Sequence, residues 1–211
     1  MKNSLGLNLS KFLFIFLLII IFIFISAKKY SEKIFNNISD NFLRFHVIAN
    51  SDSTDDQILK YKIRDSILDY YSNNCTNINS KEEAISFFNN NIDKLYEIAY
   101  SVLSENHVNL PLNIYIGKSH FPTKEYSQII LPEGTYDALK IEIGAAKGQN
   151  WWCIMFPTLC FFENSEYTLC ENSSNYLSEN LNSEELNLIN NAEKSNDLKI
   201  KFKLIEIFEN L

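Results

Sequence analysis

A chain of 211 residues with 46% apolar and 14% aromatic content is long enough for one domain plus a targeting or membrane element. That composition excludes disordered and collagen-like classes for the main body. Residues 1–30 hold four lysines and no acid, so the net charge of -7 leaves -11 on residues 31–211. An acidic body lacks the basic track of a nucleic-acid groove or of a domain that adheres to anionic lipid, and no nucleic-acid partner is expected.

Phe12 to Ile25 is an unbroken apolar run of 14 residues, with Lys11 before it and Ser26-Ala27-Lys28-Lys29 after it. As a helix it spans about 21 Å, short of the roughly 30 Å hydrocarbon core. The length suits a signal peptide cleaved after Ala27. The flanking lysines suit a retained anchor in a tilted or thinned setting. Residues 1–29 are therefore expected to be a signal peptide or N-terminal membrane anchor, with membrane contact through residues 12–25 if uncleaved. Residues 30–211 are expected to form a single exported domain. Export puts Cys75, Cys153, Cys160 and Cys170 where disulfides form. Cys153 and Cys160, seven apart around Pro157, are the pair favoured by spacing; buried free thiols are the alternative.

Ile34, Phe35, Ile38 and Phe42 recur at helical spacing, which predicts a helix over 30–41 leading from the membrane or leader. Phe42 to Ala49 reads as a buried strand stopped by Asn50-Ser51-Asp52-Ser53. Thr54 with Gln57, and Ser80 with Glu83, have the spacing of capping boxes that open two amphipathic helices, the second running to about residue 104. Alternation then predicts strands around 112–117, 126–131, 139–143 and 151–156, with Pro132-Glu133-Gly134 as a turn. Residues 174–193 suggest one or two short helices, and residues 198–207 a last strand. The sum is an α+β domain. We expect a mostly antiparallel sheet of five or six strands with two amphipathic helices packed on one face, after an N-terminal hydrophobic segment.

Chemical motifs are sparse. There is no Walker sequence, no glycine-rich strand-to-helix turn and no HExxH, and five glycines build few phosphate cradles. His46, His107 and His120 are too scattered to argue a zinc site, and Asp52, Asp55 and Asp56 are explained by helix capping rather than calcium. No cofactor, metal or small-molecule substrate is expected. The unusual stretches are GKSHFPTKEY and NWWCIMFPTLCFF, whose aromatics and prolines are of the kind found in protein-binding hot spots. The residues alone thus favour an exported binding or signalling domain, with an extracytoplasmic hydrolase using a His/Cys or carboxylate site as the alternative.

The strings RFHVIANSD, LPEGTY and NWWC followed by FPTLC resemble the stage II sporulation protein R family of endospore-forming Firmicutes, over most of residues 42–162. The resemblance implies a protein made in the forespore and exported into the space between the two cells. There it would activate a membrane-embedded aspartic protease of the mother cell, which processes the precursor of the first mother-cell sigma factor. It implies no catalysis by the chain itself. The family strings place Arg44, His46, Asn50 and Asp52 at the first strand's end. They place Phe121, Pro122, Thr123 and Lys124 in one loop, and Trp151, Trp152, Cys153, Pro157 and Cys160 in another stretch. These are the candidate partner-binding residues. Where family members commonly have FPPLCF, this chain has Thr158 after Pro157.

Overall fold

The computed structural model describes residues 2–74, 78–126, 129–158 and 171–190. The first helix, α1, runs unbroken from Lys2 to Asp40. Its middle is exposed, with Phe22 at 70% and Phe12 at 65%, whereas Ile38 near its end is fully buried. By length and composition the helix is able to cross a membrane. One helix therefore carries both the apolar run and the segment that docks on the domain; the two are not separate elements.

Strand β1 (Leu43–Ile48) follows directly and is buried at every position. Helices α2 (Thr54–Asn74), α3 (Lys81–Asn90) and α4 (Ile92–Glu105) come next. Strands β2 (Leu112–Phe121), β3 (Lys124–Tyr126), β4 (Ile129–Leu131), β5 (Gly134–Ile143) and β6 (Asn150–Phe156) precede helices α5 (Glu171–Asn180) and α6 (Ser183–Ile189).

Among the described residues the main sheet has four strands in the order β2-β5-β1-β6, and β3 pairs only with β4 in a separate ribbon. The main sheet is mixed and, as expected, mostly antiparallel: β1 runs parallel to β5, while β1 with β6 and β2 with β5 are antiparallel. The split into a four-stranded sheet and a two-stranded ribbon corrects the expected single sheet of five or six strands. The segment around 126–131 has a strand's composition, but Tyr126 pairs back on Ile129, so it folds on itself instead of extending the main sheet. The expected last strand over 198–207 lies outside the described residues.

The expectation of two helices on one face is also corrected, because the second breaks into α3 and α4 at Asn91. The run Asn89-Asn90-Asn91 has low helix propensity, and the Asn91 side chain takes the Phe87 carbonyl at 2.7 Å. Its amide caps the same turn, donating to the Phe87 and Phe88 carbonyls. Tyr70 Oη donates to Asn91 Oδ1 at 2.7 Å and so ties α2 to the break. The α2 cap sits one residue earlier than expected: Ser53 Oγ accepts from the Asp56 amide, and Gln57 Nε2 donates to the Ser51 carbonyl. At α3 the expected cap forms, Ser80 Oγ accepting the Glu83 amide at 3.1 Å.

Strand alternation gives the sheet two different faces. Leu43, Phe45 and Val47 share one with Trp151 and Asp137. There the Arg64 guanidinium of α2 lies over the Trp151 ring, and Lys81 of α3 pairs with Asp137. Arg44 and His46 share the opposite face with Tyr136, Ser119 and Trp152. Part of that face is covered by α1, whose Phe35 meets the Tyr136 ring edge-on at 5.4 Å, and by the β3–β4 ribbon through Tyr126. Helix α6 braces α1, as Tyr30 and Asn37 donate to Glu184 and Glu185.

The α3 junction yields a pH prediction. Lys81 Nζ lies 2.7 Å and Lys118 Nζ 3.0 Å from the Asp137 carboxylate. Burial would raise the Asp137 carboxyl, but the hydrogen bonds from Lys81 and Lys118 outweigh it and hold it below the ordinary carboxylate range. With the folded value below the unfolded one, this stabilisation is present above about pH 4 and is lost as pH falls through the folded value. Asp137→Asn strands Lys81, whose side chain is 5% exposed, without its anion. The expected loss is roughly 3 kcal/mol in urea unfolding at pH 7, shrinking at pH 2. Equal losses at the two pH values would show that the pair contributes no charge-dependent stability.

Candidate functional site

The candidate residues fall into three places along the sheet. At one end, Asn50 anchors the turn between β5 and β6: its Oδ1 accepts the Ala145 amide at 2.9 Å, and its carbonyl accepts the Lys147 amide at 3.2 Å. Asn50 Nδ2 and Ser51 Oγ both donate to Asp56. The Ser51 hydroxyl foremost, opposed by burial and helped by Asn50 and Ser53, lowers the Asp56 carboxyl. Asp56 therefore organises this end, while Asp52 is exposed. The signal for Asp56 was its place in the first turn of α2, which Asp55 shares.

At the other end, the expected 118–124 loop is mostly strand, since β2 continues to Phe121. Phe121 is fully buried, Pro122 half-buried and Thr123 exposed. Thr123 Oγ1 accepts the Glu133 amide at 3.1 Å, and His120 Nε2 lies 3.0 Å from Glu133 Oε1, which joins the HFPTK and LPEGTY strings in one exposed corner. Gly134 sits beside it against Phe35 of α1.

Between the ends lies a column of polar and aromatic groups on the Arg44–His46 face. Arg44 is fully buried; its Nε donates to the Cys153 carbonyl at 3.0 Å and its NH2 to Tyr126 Oη at 2.6 Å. Phe121, Tyr136 and Tyr126 surround it, with ring centroids 4.2, 4.9 and 5.5 Å from its Cζ. Burial lowers the Arg44 guanidinium, which nonetheless stays a cation. His46 Nδ1 is 2.9 Å from Ser119 Oγ and Nε2 is 2.7 Å from Asn150 Oδ1. With Asn150 presenting its oxygen, Nε2 carries the proton and Nδ1 accepts from the Ser119 hydroxyl. Burial pushes the His46 imidazole down, more than its Asn150 bond raises it, so the ring is neutral at pH 7. Trp152 stacks on His46 at 5.9 Å, and Lys124 Nζ lies 4.6 Å from the Trp152 ring.

The structure thus gathers Arg44, His46, Phe121, Lys124 and Trp152, and separates them from Asn50 and Asp52. It also parts the two tryptophans, because neighbours in a strand face opposite ways: Trp151 meets Phe45 and Arg64 on the helix side. Cys153 shares that helix side, away from His46, so these two do not make a thiol–imidazole pair. Cys153 is disulfide-bonded. Cys75, Cys160 and Cys170, and with them the expected pairing to Cys160, lie outside the described residues. Pro157 follows β6 through a cis peptide. Sequence reasoning missed Ser119, Tyr126, Tyr136 and Asn150, which only the strand register brings to Arg44 and His46. Among the described residues no group of three or more His, Cys, Asp or Glu is placed to hold a metal ion.

Comparison with known proteins fits this geometry. A family model described as stage II sporulation protein R matches residues 39–166, which includes β1 to β6 and the whole Arg44–His46 column. The stage II sporulation protein R of Bacillus subtilis (strain 168) is 37% identical over 131 residues, covering 61% of this chain and 58% of that relative. The match thus spans little more than half the relative's length. No solved structure matches this chain significantly. With more than half of its length matched, the chain belongs to the stage II sporulation protein R family.

Proposed function

We propose that this chain is a sporulation signal, exported across the forespore membrane, that switches on a membrane-embedded aspartic protease of the mother cell by binding it. That protease then processes the precursor of the first mother-cell sigma factor. The observation that carries this reading is the family match, which covers every strand among the described residues. The apolar helix at the N-terminus supports export as a signal or anchor, and the body supplies the partner surface. We assign that surface to the half-exposed Trp152 and Lys124 together with the Thr123–Glu133 corner, since an aromatic ring under a cation suits a binding anchor.

The test is reconstitution in cells that make the protease, the precursor and this chain. Precursor processing is expected only when the chain is exported. Trp152→Ala is expected to cut processing and partner binding together by about 10- to 30-fold, the equivalent of ~1.4–2 kcal/mol, while the domain remains folded. Undiminished processing without the chain, or with the chain held in the cytoplasm, defeats the proposal.

A hydrolase is the second reading, favoured by one observation: Ser119, His46 and Asn150 form a hydrogen-bonded row in which a neutral imidazole accepts from a hydroxyl. Ser119 is 8% exposed and His46 6%, so the row is nearly closed to solvent, which favours a structural relay. Ser119→Ala separates the two readings. Processing retained at a stability cost of about 1 kcal/mol supports the relay, and processing lost with partner binding intact supports a nucleophile.

A further inference from the structure

The apolar run of α1 stands outside the domain: from Phe12 to Ile25 every position is exposed except Ile20, which is half-buried. A helix that is apolar all round and not packed in its own domain is either covered by lipid or removed. Removal after Ala27 asks for small side chains two positions apart, because the peptidase reads alternate residues, which face one way only in an extended chain. The backbone of α1 is instead helical from Lys2 to Asp40, so Ile25 and Ala27 point about 200° apart. No residue near the bond favours unwinding. Neither glycine nor proline occurs between Gly6 and Pro111, and Ile25 fills the outer of the two positions with a branched side chain. A helix of this kind forms in about a microsecond, so it resists the peptidase before the domain has folded as well as after.

We propose that α1 is a retained membrane anchor, uncleaved after Ala27, whose apolar run is covered by a lipid bilayer and whose last turns hold the domain at the bilayer surface. The docking begins three residues beyond Ala27. Tyr30 Oη donates to Glu184 of α6 at 2.6 Å, and Asn37 Nδ2 to Glu185 at 2.7 Å. Lys81 of α3 donates to the Ser39 carbonyl at 3.3 Å, and Tyr176 of α5 to Asn41 Oδ1 at 3.1 Å. Three helices therefore grip the end of α1. From Lys11 to Lys28, both exposed, the helix rises about 26 Å, and snorkelling at both ends makes up what is lacking of a core roughly 30 Å thick. Phe35, which abuts Gly134, lies about 12 Å along the axis beyond Ala27, so the Thr123–Glu133 corner stands near the bilayer. A signal held this way does not diffuse. It acts at short range, on a partner that presents its receiving face close to a membrane surface. The anchor rests on the proposed function only for the identity of that partner.

The test follows the full chain in the cells that make the protease and the precursor. Wild-type chain is expected to retain residues 12–27 by mass spectrometry and to stay in the membrane pellet after alkaline carbonate washing, as an inserted helix does. The double variant Phe22→Pro, Ile25→Ala breaks the helix and puts small side chains at both positions that the peptidase reads. Most of that variant is expected to begin at Lys28 and to leave the membrane, which shows that the peptidase reaches this bond. Wild-type chain that begins at Lys28, or that alkaline carbonate extracts intact, overturns the anchor. Processing driven by wild-type chain that begins at Lys28 removes the anchor alone. A membrane-retained, uncleaved chain that drives no processing removes the proposed function alone.

Discussion

Phe121→Ala is expected to cost roughly 3–5 kcal/mol in urea unfolding, the range for deleting a buried aromatic side chain. Phe121 is fully buried at the end of β2, edge-on to Tyr136 at 5.8 Å and 5.6 Å from the His46 ring. Its ring also lies 4.2 Å from the Arg44 Cζ, so truncation opens a cavity beside a buried cation and removes one of the faces that offset its desolvation. That second effect puts the expected value in the upper half of the range. Trp152→Ala, at a half-exposed site, is expected to cost about 1–2 kcal/mol. The contrast sorts the two aromatics by role. Processing assayed at equal folded concentration should survive Phe121→Ala and fall with Trp152→Ala. A stability loss below about 1 kcal/mol for Phe121→Ala would show that the ring is not packed on Arg44.

Local features were legible wherever one short stretch decides the outcome. The apolar content of Phe42 to Ala49 marks a buried strand, and β1 is buried throughout. Ser80 and Glu83 mark the start of α3. The break at Asn91 was masked by an apolar stripe that continues from Phe88 to Leu95, since both helices face one core and periodicity alone does not report a kink. Sheet order was not legible. The parallel pairing of β1 with β5 joins segments separated by three helices, β2 and the ribbon, and hydrophobic alternation carries no information about which strand is the neighbour.

The same limit explains the candidate site. His46 meets Ser119 and Asn150 across sequence separations of 73 and 104 residues; the Asn150 contact depends on the β1–β6 register, and the Ser119 contact, which reaches across β5, on the β1–β5 and β2–β5 registers together. The opposite facing of Trp151 and Trp152 was legible in principle, because adjacent strand residues alternate, once the stretch is read as a strand. Phe121 was expected at a surface because HFPTK reads as a proline-shaped loop; β2 in fact runs two residues beyond Ser119 and turns Phe121 inward beneath Arg44.

Gly134→Ala is expected to lower stability by about 2–3 kcal/mol, and Phe35→Ala to recover part of that loss. Gly134 has φ +151°, a conformation that L residues rarely adopt, and a Cβ there would lie 2.2 Å from Phe35 Cζ. The methyl group therefore meets an aromatic ring that is itself held edge-on against Tyr136 at 5.4 Å. Overpacking of this kind costs about 1–3 kcal/mol, to which the backbone strain adds about 1 kcal/mol. Phe35→Ala alone loses a half-buried ring, roughly 1–2 kcal/mol. In the double variant the methyl group occupies space left by the ring, so the losses are expected to be sub-additive by about 1–2 kcal/mol, with the backbone strain remaining. The coupling has a particular meaning because Phe35 belongs to α1, the helix that also carries Phe12 to Ile25. It measures whether the apolar helix is packed rigidly on the corner that holds Thr123 and Glu133. Additivity within about 0.3–0.5 kcal/mol would show that α1 is not docked on Gly134 in solution, and the apolar helix would then set no orientation for the proposed contact surface.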